Sequence, residues 1–191
     1  MSHTATPVLI LIDYQTGFDA DFWGARNNPD AEDRAAQLLS AWRDRGGPLC
    51  HVLHLSKVVG SPLHPDSGGC TFKPELTPLP DEPVFRKSTN SAFVDTEIEA
   101  HLRKLGATEL VICGLTTPHC VSTNVRWADN LGFDVTLAHD ACAAFSFSAD
   151  TGWSADLSPL DPEPIHATAV SHLHGEFCQA RSVAAILRDL A

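Results

Sequence analysis

Long apolar runs are missing from this sequence, and so is any excess of positive charge. The first run, Val8 to Ile12, ends after five residues at Asp13, far short of the roughly twenty that cross a bilayer. Lysine and arginine number 13 against 24 aspartates and glutamates, a net charge of -11, so no basic face is expected for nucleic-acid phosphates. Residues 1 to 7 lack the basic-then-apolar pattern of a secretory leader. A cytoplasmic location follows as an expectation, with neither membrane nor nucleic acid as a partner. The six cysteines, Cys50, Cys70, Cys113, Cys120, Cys142 and Cys178, contain no Cys-x-x-Cys pair, which removes the usual zinc-knuckle spacing. A 191-residue chain without a leader also differs from disulfide-stapled mini-proteins. Most of these thiols therefore read as buried.

What is present suits one compact domain over residues 1 to 191, with 43% apolar and 19% charged residues. Short β-like runs alternate with helical stretches. Val8–Asp13, Leu49–Leu55, Val84–Arg86, Glu109–Cys113, Phe133–His139 and Phe177–Gln179 read as strands. Asn28 and Pro29 are placed to begin a helix carrying Leu38, Leu39 and Trp42. Thr96-Glu-Ile-Glu99 has capping-box spacing ahead of Ile98, Leu102 and Leu105. A third helix starts near Cys120 and stops at Gly132, and the last carries Val183, Ile186, Leu187 and Leu190. Alternation of this kind predicts an α/β fold, a central parallel sheet of about six strands flanked by helices on both faces. Residues 56 to 83 and 145 to 164 are rich in Pro, Gly, Ser and Asp and read as long excursions.

Open parallel sheets bind ligands beyond the C-terminal ends of their strands. Asp13, Lys87 and the segment Gly114 to Cys120 all fall at such ends. A helix cap or solvated strand end would also account for Asp13, and a surface position for Lys87. Cys120 differs from the other cysteines because it follows a glycine-containing strand-to-helix turn. Unpaired N–H groups and the helix dipole there favour a thiolate, and a nearby ammonium would favour it further.

Asp13-Tyr-Gln-Thr-Gly-Phe18, Arg86-Lys87-Ser-Thr-Asn-Ser-Ala-Phe93 and Cys113-Gly-Leu-Thr-Thr-Pro-His-Cys120-Val-Ser-Thr123 occur in that order. With Gly132-Phe-Asp-Val-Thr-Leu-Ala-His-Asp-Ala141, they resemble the isochorismatase-like cysteine hydrolase superfamily from Val8 to about Ala144. The resemblance implies a Rossmann-like three-layer fold and a catalytic triad of Asp13, Lys87 and Cys120. It also implies a cis peptide between Leu115 and Thr116, and an oxyanion hole from the backbone N–H groups of Thr116 and Cys120. The implied reaction is C–N hydrolysis of a small amide, ureide or carbamoyl substrate through a thioester on Cys120. Related proteins are often dimers or tetramers, so a homo-oligomer is expected.

Nicotinamidases of that superfamily bind a metal through an Asp-x-His pair and a later His. This chain has His54-Leu-Ser56 in that region, so neither metal nor cofactor is expected, although His51, His54 and His64 are available as isolated ligands. His119 offers an alternative Cys–His dyad, disfavoured because neighbouring residues on a turn point apart. Phe18, Trp23 and Phe72 are candidate pocket walls, with Phe147 or Trp153 closing over the site from the same or a neighbouring subunit. Two other functions share these residues: a vinyl-ether hydrolase of isochorismate type, against which Cys120 argues, and a redox-responsive protein using Cys120 as a sensor thiol.

Overall fold

The computed structural model describes residues 6 to 190, so most of the segment at residues 1 to 7, and residue 191, lie outside the described residues. The six strands are β1 (Val8–Ile12), β2 (Leu49–His54), β3 (Val84–Lys87), β4 (Glu109–Gly114), β5 (Asp134–Ala138) and β6 (Gln179–Arg181). All pair in parallel, in the order β3-β2-β1-β4-β5-β6. β1 is buried at every position, which explains its unbroken apolar sequence: parallel strands are covered on both faces.

The helices are α1 (Ala31–Asp44), α2 (Ile98–Lys104), α3 (Ser122–Asn130), α4 (Pro162–Ser171) and α5 (Val183–Leu190). From β1 the chain steps one way to β2, and from β4 it steps the other way to β5 and β6. Right-handed crossovers then put α1 on one face and α3 and α4 on the other, and α5 packs beside α1. The direction reverses between β1 and β4, the crevice where such sheets hold ligands.

Two local expectations are corrected. Asn28 does not cap α1; it sits at φ +42° and donates to the Cys142 carbonyl at 2.7 Å, while Asp30 occupies the N-cap position. The capping box at Thr96 does not form, because α2 begins two residues later and the Thr96 hydroxyl donates to the Ala92 carbonyl. Asp140, after β5, accepts from the Val183 N–H at 2.8 Å and so anchors the start of α5.

The excursion after β2 folds back onto the segment after β1. Gly17 donates to the Gly69 carbonyl at 2.9 Å, Thr16 to Thr71 at 2.9 Å and Lys73 to Tyr14 at 3.0 Å. A Cβ on Gly69 would come within 2.2 Å of the Pro62 carbonyl oxygen, so this close return requires glycine. Its buried Lys73 bonds Asp19 at 2.5 Å and Glu32 at 3.1 Å, tying the excursion to α1.

Candidate active site

Asp13 follows the last residue of β1 and takes a left-handed backbone, φ +56°, a conformation aspartate tolerates better than most residues. Its N–H still continues the ladder to Val52 at 3.0 Å, and the residue is fully buried. Lys87 closes β3, directly across from His54 at the end of β2. Gly114 ends β4 opposite Ile12. A Cβ there would lie 2.3 Å from the Ile12 carbonyl oxygen, so only glycine lets β4 lead so closely past the end of β1. The Leu115–Thr116 peptide bond is cis. Thr117–Val121 then forms one wide π-helical turn, which carries Cys120, before α3 begins.

These strand ends converge on one ammonium group. Lys87 Nζ lies 2.6 Å from Asp13 Oδ2, 3.2 Å from Cys120 Sγ and 3.1 Å from His54 Nδ1. Asp13 and Lys87 are 0% and 2% exposed and Cys120 is 8% exposed. The second carboxylate oxygen of Asp13, Oδ1, is buried with no hydrogen-bond partner. One ligand-type atom from each of Asp13, His54 and Cys120 lies within 4.8 Å of the others, so the carboxylate stands close to the thiol with acceptor capacity to spare. Among the described residues, those three side chains are also a group that could hold a cation. Lys87 Nζ occupies the space between them, so a metal ion would have to displace the ammonium.

Burial, with the Asp13 carboxylate beside it, pushes the Cys120 thiol up to about 12, against the pull of Lys87 in the other direction. The helix start and the ammonium favour a thiolate, but desolvation and the neighbouring anion outweigh them. Burial by itself would lower the Lys87 ammonium, yet Asp13 and Cys120 more than offset this and hold it above its ordinary value. Burial and the adjacent ammonium both lower His54. The cluster thus rests as thiol, ammonium and neutral imidazole.

Three residues of this site escaped sequence reasoning. Gln15, fully buried, accepts from the His54 N–H at 2.7 Å and donates to the His54 carbonyl at 3.0 Å. Asn124 lies one helical turn beyond Cys120. It donates to the carbonyls of Cys120 at 2.7 Å and Asn90 at 3.1 Å, and accepts from the Ala92 N–H at 2.7 Å. Asn90 is exposed and places Oδ1 3.9 Å from Cys120 Sγ. The i, i+4 spacing of Cys120 and Asn124 was the available signal. His119 faces Thr116 Oγ1 at 3.3 Å, so the alternative dyad is not assembled.

The pocket candidates separate. Phe18 and Trp23 pack at 4.9 Å, and Trp23 meets Phe147 at 5.5 Å. Phe22, which sequence reasoning passed over, lies 4.7 Å from Phe147. This cluster joins the segments following β1 and β5, on the site's edge of the sheet. Phe72 pairs with Gln15 and stacks edge-on against His51 at 5.7 Å. Trp153 is 80% exposed, so within the chain it closes over nothing. It lies on an outward stretch, residues 150 to 161, before α4 begins. His51 pairs with Glu82 at 3.0 Å and His64 bonds the Asp66 N–H at 3.2 Å, so neither joins His54 at the triad.

Comparison with known proteins settles the lineage. The isochorismatase domain model matches residues 7–174. The chain belongs to the isochorismatase family. Isochorismatase family protein YrdC of Bacillus subtilis is 37% identical over 181 residues, 95% of this chain and 94% of YrdC. An isochorismatase-family structure from Chromobacterium violaceum superposes with a TM-score of 0.91 at 42% identity, covering 99% of this chain and 95% of its own. Streptothricin hydrolase of Streptomyces noursei is 32% identical over 171 residues, 88% of this chain but 59% of that enzyme. Ureidoacrylate amidohydrolase RutB of Cronobacter turicensis is 25% identical over 193 residues, 94% of this chain and 71% of RutB.

Proposed function

We propose that this isochorismatase-family hydrolase cleaves a C–N bond in a small amide, ureide or carbamoyl compound through a thioester on Cys120. One observation carries the reading: the Lys87 ammonium touches both the Cys120 sulfur and an Asp13 carboxylate that keeps its second oxygen unpartnered. The similarity to enzymes named streptothricin hydrolase and ureidoacrylate amidohydrolase supports it.

The chemistry follows from the protonation states. Cys120 rests as a thiol, so attack requires a base at the moment of reaction. Asp13 takes the proton as sulfur adds to the carbonyl carbon, while Lys87 neutralises the charge left nearby. The carbonyl oxygen becomes an oxyanion, and the backbone N–H groups of Thr116 and Cys120 are the proposed donors for it. Asp13 returns the proton to the leaving nitrogen, the C–N bond breaks and a thioester remains. Water, deprotonated by Asp13, then adds to the thioester, and the thiol leaves with that proton.

The aromatic cluster of Phe18, Trp23 and Phe147 is the proposed wall of the substrate pocket. Self-association is also proposed, supported by the 80% and 55% exposure of Trp153 and Phe147; light scattering should give a mass above that of one chain. A cytoplasmic setting is supported by cysteines that are all free. The test of the function is ammonia release from a panel of small amides and ureides. Wild type should turn over at least one of them and Cys120→Ala none; equal turnover by both removes the covalent route.

A further inference from the structure

An ammonium has three N–H bonds, and Lys87 has three acceptors. Two belong to the triad and the third is His54 Nδ1 at 3.1 Å. From sequence His54 reads as a metal ligand or a packed imidazole, and the proposed mechanism does not use it. Its position is nevertheless built. Gln15 grips both backbone groups of His54, and β3 pairs His54 with Lys87 across the sheet. An ammonium only donates, so Nδ1 meets Lys87 with its lone pair and the neutral ring carries its single N–H on Nε2.

We propose that His54 is a positioning residue: a neutral imidazole that accepts the third N–H of Lys87 and thereby fixes the other two on Asp13 and Cys120. Without it the ammonium can rotate away from the sulfur when the thiol gives up its proton. The inference rests on the reading of Cys120 as nucleophile and adds a fourth side chain that acts through Lys87. Three titratable groups face His54: Lys87 from β3, Asp13 after β1 and Cys120 from the turn after β4; Gln15 is neutral. Protonating His54 would replace an acceptor by a second cation beside the ammonium, so the arrangement works only above the pH at which the ring is neutral.

The test reads thiol reactivity, which needs no substrate. Carbamidomethylation of Cys120 by iodoacetamide is followed by peptide mass mapping across pH in wild type, His54→Leu and His54→Asn. Leucine offers no acceptor, and asparagine places its amide oxygen near the position of Nδ1. His54→Leu should label about tenfold more slowly at neutral pH, the loss expected for one hydrogen bond to a charged group, with its pH–rate curve moved upward. His54→Asn should stay within about threefold of wild type. Equal rates and superimposed pH curves for His54→Leu and wild type would overturn the proposal, as would labelling that collapses in EDTA and returns with zinc. Should His54→Leu not fold, nitrogen NMR of the wild-type ring decides: a neutral ring at pH 7 with its lone pair on Nδ1 supports the proposal, and a charged ring or an Nδ1–H tautomer refutes it. If the nucleophile reading itself is wrong, Cys120→Ala keeps its turnover while these labelling results stand.

Discussion

Replacing Lys87 by methionine should cost far more stability than a lysine substitution normally does. The pair it forms with Asp13 is 2.6 Å long with both side chains at 0% exposure, so solvent screening does not weaken it. Methionine fills similar volume but leaves a carboxylate buried, already short of one partner at Oδ1. Breaking a buried pair in this way costs about 3–5 kcal/mol. For a domain of this size each kcal/mol lowers the melting temperature by about 2–4 °C, so the midpoint should fall by about 6–20 °C in calorimetry at pH 7.5. Asp13→Asn/Lys87→Met removes the stranded charge, and asparagine tolerates the left-handed backbone of residue 13, so the double variant should recover more than half of the loss. A Lys87→Met protein melting within about 2 °C of wild type at pH 7.5, a shift smaller than 1 kcal/mol would cause, would refute the buried ion pair and the cluster built on it.

Other outcomes follow from the same geometry. Because the Cys120 thiol is pushed up to about 12, its alkylation rate in wild type should keep climbing with pH through the neutral range, whereas a plateau near pH 7 would show a resting thiolate. Gly114→Ala should be expressed largely insoluble, since its Cβ would press against the Ile12 carbonyl at 2.3 Å; a soluble variant with wild-type melting would remove that constraint. Asn124→Ala leaves the Ala92 N–H and the Cys120 carbonyl without this partner, and should lower the melting temperature by a shift worth about 1–3 kcal/mol and reduce turnover; unchanged melting and activity would show that the segment before Ala92 is held by something else. Burial alone would raise Glu82, but Arg43, the Leu79 N–H and His51 hold it down to about 2. Its stabilisation is complete above the ordinary carboxylate value and is lost as pH falls toward about 2, so Glu82→Gln should flatten the acid side of the melting curve.

Much of this molecule was legible in its sequence because burial on both faces leaves a strong mark. β1 reads as unbroken apolar residues, and the glycine after Cys113 marks the end of β4. Asp13, Lys87 and Cys120 could be chosen because polar groups at strand ends stand out against such runs. The misreadings concern groups whose partners are distant in sequence. Asn28 looks like a cap until Cys142, 114 residues away, claims its amide. At Cys120 the helix start is a local signal, whereas Asp13, the group that besides burial acts most on the thiol, is brought in by the sheet. His54, Gln15 and Asn124 carry little signal by themselves; each matters through hydrogen bonds to residues that the fold brings to it. Trp153 stands out because aromatic residues are unusual in Pro-rich loops; at 80% exposure it covers nothing in its own chain, which leaves the site of a neighbouring subunit as the place it would close.

The central claim is that Cys120 carries the acyl group. Wild-type protein mixed with an amide it turns over, then quenched in acid within the first turnovers, should gain the substrate mass less that of the released amine or ammonia. Digestion should map the increment to the peptide containing Cys120, and Cys120→Ala should show neither adduct nor turnover. Steady turnover with no adduct at any quench time, undiminished in Cys120→Ala, would contradict the account.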